Sequence, residues 1–360
     1  IVKMLSEEYG IFVHRGIAYG IRLSGDTVEI GTYLNLGTEL IKKICKLTDT
    51  KALVLTSSSD NSEKIYVLVL NTSTLAITVG SPLSLTCPIR SFDLIELSFN
   101  TALITYADRT NSYYPTISIL LITGTSISII ETEVLNNNKQ CRETSIYMRT
   151  SNQAVVVYTN SYDCEAVIVD IISTSITVHS PSIIDSGTQY DRMIDCKVVG
   201  DYSYATIFFR HYDGFTYYPM KAISFELRST SIGTIGSAIT IEALSYHANS
   251  VPSVFKMKDG VYRVFYLAKI GADWYSYRYC DVTLSTLTIT VGDYRIWDGS
   301  TAEFGIHPDI YPDRINDKKI IIPTIIKKDH SDWEFYYDIG IVVLYDIADG
   351  ISLDAGEGGD

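Results

Sequence analysis

The stretch Ala154–Pro181, AVVVYTNSYDCEAVIVDIISTSITVHSP, decides the architecture. A solid apolar run from Ala154 to Tyr158 leads through the polar loop Thr159–Glu165 to a second apolar run, Ala166–Ile172. A Ser/Thr turn then delivers a short alternating segment, Ser175–Val178, before Pro181. Short β-branched runs bounded by turn residues predict strands, so this phrase predicts three of them.

The phrase returns along the whole chain. Equivalents of its last strand begin at Val28, Ile77, Ile127, Ile176, Gly233, Ile289 and Ile351, spaced by 49, 50, 49, 57, 56 and 62 residues. A period near 50 with four short strands per unit is the pattern of a β-propeller. The expected fold is therefore all-β, a seven-bladed propeller of four-stranded antiparallel blades over residues 1–354. The expected blades are 1–36, 41–85, 92–135, 144–184, 194–242, 251–296 and 305–354, and 355–360 is a Gly-rich exit segment.

Each unit reads as strands A to D. Strand A, nearest the axis, is expected at Val2–Leu5, Ile95–Ser98, Ser145–Met148 and Ser253–Lys256. Strand B is the solid apolar run, as in Ala52–Leu55, Ala102–Tyr106, Ala154–Tyr158, Ala205–Phe209, Val261–Tyr266 and Ile320–Ile322. A middle strand covered on both faces by neighbouring blades has no reason to alternate. Strand D has one face in water and does alternate, as Ile77-Thr-Val and Ile289-Thr-Val. A Gly or Pro after strand D is expected to end it and start the path back to the axis. Strands are found in order in both the first and last units, so ring closure is expected to rest on side-chain packing rather than on a shared blade.

Composition narrows the function. The 360 residues are 46% hydrophobic, ample for a large core. A formal net charge of −13 argues against nucleic acid, whose phosphates need clustered Lys and Arg. No run reaches the 18 or so apolar residues of a membrane-spanning helix, so no membrane insertion is expected. Six cysteines at irregular spacing, with no C-x-x-C pair, predict buried free thiols rather than a zinc site or disulfide framework. The opening IVKMLSEEYG does not read as a secretory signal, and the chain reads as a piece of a longer one.

The two ends of the strands differ. The C–D and A–B turns are short and plain, for example Ser24-Gly-Asp26, Asn71-Thr-Ser73 and Asn100-Thr101. The B–C loops, at the other end, carry an aspartate in six of seven units and an aromatic in five. The candidate ligand-binding residues there are Tyr113, Tyr114, Tyr162, Asp163, Tyr212, Asp213, Tyr217, Asp273, Trp274, Asp332 and Trp333. The D–A connections add Tyr190, Tyr246, His247, Trp297, Asp298 and His307. An aromatic ring covers the C–H face of a sugar while a carboxylate accepts its hydroxyl hydrogen bonds, so the set suits a glycan. Asp is also a common turn former, and Tyr at a strand end packs between blades, so the same residues also fit a structural role.

Catalytic signatures are absent. Ser58-Ser-Asp-Asn61 lacks the Gly and Trp of a sialidase Asp-box, and Trp297-Asp298 is a lone Trp-Asp pair. No G-x-S-x-G elbow or Walker loop occurs, the histidines are scattered, and no cofactor or metal is implied. A glycan hydrolase would need two carboxylates brought together from different blades.

The strand–loop–strand repeat followed by Gly124-Thr-Ser-Ile-Ser128 or Ser173-Thr-Ser-Ile-Thr177 resembles the propeller repeats of bacteriophage tail-fibre and virion-appendage proteins. Units five and seven depart from it with Ser231-Ile-Gly-Thr234 and Asp349-Gly-Ile-Ser352. The resemblance implies a non-enzymatic place on the virion surface, with a host-surface glycan or receptor and other virion proteins as partners. The alternatives are a purely structural virion protein contacting neighbouring subunits and, behind it, a glycan hydrolase.

Overall fold

The burial of strand Gln153–Thr159 explains its solid apolar run. Val155 and Val157 pack with Ala205, Ile207 and Phe209 of the following sheet, whereas Ala154, Val156 and Tyr158 pack with Leu103, Ile117 and Ile119 of the preceding one. Both faces are dry from Ala154 to Tyr158, so every position of that run is apolar. Each such side chain contributes roughly 1.5–3 kcal/mol of burial free energy. In the computed structural model the described residues are 1–14, 16–25, 27–37, 40–57, 63–87, 92–160, 163–186, 192–212, 219–243, 252–269, 275–296, 313–316, 319–327 and 337–345, the last three segments by backbone alone.

The chain is all-β and folds as a succession of antiparallel sheets. Sheet one orders Val2–Met4, Tyr9–His14, Ile17–Ser24 and Thr27–Asn35. Sheets two to six repeat this order. Their first strands are Leu40–Thr48, Phe92–Ser98, Glu143–Thr150, Arg192–Gly200 and Ser253–Lys258. The last sheet has three described strands, Asp313–Asn316, Lys319–Lys327 and Tyr337–Tyr345. The strand expected from Ile351 and the exit segment 355–360 lie outside the described residues.

The first strands stand side by side through sheets one to six, and Val2–Met4 of sheet one also lies against Asp313–Asn316 and Lys319–Lys327 of the last sheet. Separate apolar clusters fill the gaps between sheets one and two, two and three, three and four, four and five, and five and six. All six cysteines are buried and unbridged. Burial pushes the Cys45 thiol up to about 12, which leaves it an inert hydrophobe.

Two expectations change. The Gly or Pro after strand D does not send the chain directly back to the inner strands. In sheets two, four, five and six the chain resumes pairing with strand C as Leu83–Leu85, Ser182–Ser186, Ile239–Glu242 and Arg295–Ile296. In sheets one and three the outer strand runs on as a single bulged strand. The glycine also makes room for the next sheet. A Cβ on Gly80 would sit 2.0 Å from the Thr125 carbonyl oxygen, in the C–D turn of the sheet that follows. The inner strands also begin earlier than apolar runs alone suggest, at Phe92 rather than Ile95 in sheet three and at Glu143 rather than Ser145 in sheet four.

Candidate functional site at the loop end

The B–C loops leave strand B and enter strand C at one end of every sheet. In sheet three Asp108 caps a single 3-10 turn, Arg109–Asn111, accepting from the Thr110 amide at 2.9 Å and its hydroxyl at 2.6 Å. Asp at this position therefore does turn chemistry. Tyr113 adopts a left-handed φ of 62°, its carbonyl accepts from Cys141 N at 2.7 Å, and its ring packs on the core between sheets three and four. Tyr114 opens strand C opposite Asp108 and is half-buried.

Asp163 opens strand C of sheet four. Its amide donates to Asn160 Oδ1 at 2.8 Å, and Oδ2 accepts from Lys139 Nζ at 2.8 Å. Lys139 comes from the loop leaving sheet three and also meets Glu165 Oε1 at 2.5 Å. Glu165 is buried, and its Oε2 accepts from Tyr158 OH at 2.6 Å and Asn136 Nδ2 at 3.0 Å. The hydrogen bonds that Lys139 donates to Asp163 and then Glu165 raise its pKa. Burial first, then the hydrogen bond to Glu165, pushes the Tyr158 phenol up. This corner joins two sheets, with Glu165 buried and Lys139 and Asp163 reaching the surface.

Of the other sequence candidates, Tyr212 ends strand B of sheet five and is described by its backbone. Tyr162, Asp213, Tyr217, Asp273, Trp274, Asp332 and Trp333 lie outside the described residues, as do Tyr190, Tyr246, His247, Trp297, Asp298 and His307. The described candidates Tyr113, Tyr114 and Asp163 sit at the joint of sheets three and four.

Sequence reasoning missed two groups. At the start of strand C in sheet six, Arg278 Nη1 meets Glu242 Oε2 of sheet five at 2.6 Å and lies 4.4 Å above the ring of Tyr294, which is 55% exposed. At the inner strands, Asp93 of sheet three gathers groups from three other sheets. It pairs with Lys43 Nζ, accepts from Lys197 Nζ at 3.0 Å, and accepts from Ser145 Oγ and Ile146 N at 3.1 Å each. Burial opposes ionisation of Asp93, but the Lys197 and Lys43 ammoniums outweigh it and hold the carboxyl well below the usual range. Lys43, Asp93, Ser145 and Lys197 face Leu55, Thr105, Val157 and Phe208, each the fourth residue of a strand-B run beginning at Ala52, Ala102, Ala154 or Ala205. Stacking the repeats in columns would have exposed this polar column inside an apolar architecture.

The opposite end is less plain than the turns suggest. Phe99 and Tyr202 are exposed there, and Arg149 ties sheet four to sheet five through the carbonyls of Tyr202 and Arg228, both at 2.6 Å.

No protein-family model and no curated protein sequence matches the chain. Solved structures do resemble it. A hypothetical selenium-binding protein from Sulfolobus tokodaii superposes with a TM-score of 0.58 at 9% identity, over 98% of this chain and 88% of that one. The BP39L lectin from Burkholderia pseudomallei gives 0.51 at 8% identity, over 95% and 97% of the two chains. A 6-phosphogluconolactonase-like protein from Bacteroides uniformis gives 0.51 at 9% identity, over 94% and 100%. These neighbours are β-propellers, and at such identities the likeness speaks for fold. The chain is thus an all-β protein of propeller-like architecture, built from consecutive four-stranded antiparallel sheets.

Proposed function

We propose that the sheets are the blades of a closed seven-bladed propeller and that the chain is a non-enzymatic recognition module of a virion appendage. It binds a host-surface glycan through the loop end formed by the B–C and D–A connections. The observation that carries this reading is the one-sided placement of aromatic and acidic residues: six of seven B–C loops hold an aspartate and five an aromatic. Loops held on a rigid scaffold are where binding residues collect. Closure is supported by the approach of Val2–Met4 to the last sheet, and it needs no strand exchanged between first and last sheets. The tail-fibre repeat supports the virion setting, and a lectin among the propeller neighbours is consistent with a sugar ligand.

The test is host adsorption and glycan-array binding by Trp274→Ala and Trp333→Ala variants. The reading expects loss of binding with unchanged thermal unfolding, and intact adsorption and array binding in both variants would remove these loops from recognition. A second reading, a structural virion protein contacting its neighbours, has its own observation. The outer strands of sheets one, three and four expose Ile30, Tyr33, Ile129 and Ile183, and apolar side chains exposed along sheet edges suit contact with neighbours. A map of the assembled particle separates the two by showing which surface is covered.

A further inference from the structure

We propose that the inner strands hold a small oxyanion, a carboxylate or a phosphate, between Lys43 and Lys197. The proposal goes beyond the glycan reading and does not rest on it.

Two ammoniums converge on one carboxylate here. Lys43 and Lys197 reach Asp93 from sheets two and five, across the strand of sheet four that supplies Ser145. Asp93 is 6% exposed and its oxygens are filled, because Leu94 N, Ser145 Oγ and Ile146 N donate to it as well. The lysines are different. Their side chains are 31% and 23% exposed, and each ammonium has three donors, so hydrogen-bonding capacity remains on the open side. With Asp93 ionised, the triad carries a net positive charge of one. Burial and then the Lys43 ammonium beside it depress Lys197 against the pull of Asp93. An added anion would relieve that repulsion.

The surroundings carry the same sign. The first strands of the seven sheets contain ten Lys or Arg and five Asp or Glu, in a chain that totals 29 and 42. Further along the same strands, the Cys45 thiol feels Lys3 of sheet one and Glu96 of sheet three as well as Lys43 and Asp93, and burial raises the Glu96 pKa against Lys46 and Lys3. Cations therefore outnumber carboxylates two to one in the inner strands of an acidic protein, with Lys46, Arg149 and Lys256 committed at the short-turn end. A site lined by one sign in low-dielectric walls focuses field and gathers the opposite ion. Asp93 stands three residues short of the B–C loop end in register with Thr105, so the site lies below the loop end.

The experiment titrates the protein with sodium phosphate and, separately, sodium glucuronate by calorimetry at constant ionic strength in chloride, with glucose as the uncharged control. Expected are saturable binding of at least one anion, no glucose binding, and at least a tenfold weakening in Lys43→Gln and Lys197→Gln. The two anions distinguish a phosphate site from a carboxylate site. Asp93→Asn should tighten binding where the variant folds. If either glutamine variant unfolds, wild-type crystals soaked in selenate supply the answer, with anomalous density expected between the two ammoniums. Absence of binding by both anions, equal binding in wild type and the folded glutamine variants, or selenate density elsewhere only would overturn the proposal.

Discussion

Two charge clusters in this molecule are mirror images. At the outer corner between sheets three and four, Lys139 is shared by two carboxylates, Asp163 and Glu165. At the inner strands, Asp93 is shared by two ammoniums, Lys43 and Lys197. The corner involves adjacent sheets: Asn136 and Tyr158 fill Oε2 of the buried Glu165, and Lys139, itself a third exposed, serves two carboxylates. The centre spans four sheets, fills its carboxylate, and leaves its cations partly open. The ratio of charges separates the two: one ammonium against two carboxylates leaves the corner acidic, and two ammoniums against one carboxylate leave the centre cationic. The corner is a joint, while the centre is both a joint and a binding surface.

The comparison can be broken at the centre first. Asp93→Ala leaves two inner-strand ammoniums without their counter-charge and is expected to cost about 3–5 kcal/mol, as for other buried pairs cut at one partner. Equilibrium urea unfolding measures it. A loss below ~1 kcal/mol would mean that the four-sheet junction carries little of the fold. At the corner, Lys139→Met removes the cation facing Glu165 while Tyr158 and Asn136 still donate to it. The expected loss is about 1–3 kcal/mol, the range for an incompletely satisfied buried polar group, and smaller than at the centre.

Between sheets, Gly80→Ala puts a Cβ 2.0 Å from the Thr125 carbonyl oxygen and is expected to cost about 1–3 kcal/mol by overpacking. The same change at Gly25, whose added Cβ meets nothing within 4 Å, leaves only the strain of its φ of 61°, so it should cost less. Measured melting temperatures in that order would support the interlock of turn and outer strand.

The clusters also answer pH in opposite directions. Asp93 has a depressed pKa in the folded state, so its contribution is complete above the unfolded carboxyl value near pH 4 and disappears as pH falls through the folded value. Lys139 has a raised pKa, so its contribution is complete below the unfolded value near 10.4 and is lost as pH rises through the folded one. Stability scanned against pH should therefore lose its Asp93-dependent part on the acid side and its Lys139-dependent part on the alkaline side. Asp93→Asn and Lys139→Met should each flatten one limb.

Much of the fold was legible because burial writes itself plainly into middle strands. Ala154–Tyr158 is dry on both faces and is solidly apolar, and Ala102–Tyr106 is the same except for Thr105, whose buried hydroxyl is hydrogen-bonded to Thr144. Inner strands were harder to see, because Lys43, Asp93 and Lys197 satisfy one another instead of water and look like surface residues. The outer strands were misread at their ends. Gly80 and Pro181 look like stops, yet pairing with strand C resumes at Leu83, three residues after Gly80, and at Ser182, directly after Pro181. At the loop end, composition identified where chemistry concentrates but not which side chains are already committed. Asp108 is used by its own turn and Asp163 by Lys139, and neither partnership follows from adjacency in sequence alone.

The central claim is that recognition resides at the loop end of the sheets and not at the end bearing Phe99 and Tyr202. The most direct measurement compares glycan-array and host-cell binding of wild type with a Trp274→Ala/Trp333→Ala variant and a Phe99→Ser/Tyr202→Ser variant, all matched for folding by circular dichroism. The account predicts that the tryptophan pair abolishes binding and that the Phe99/Tyr202 pair leaves it within about twofold of wild type, a change below ~0.5 kcal/mol. Retained binding in the first variant with loss in the second would contradict it.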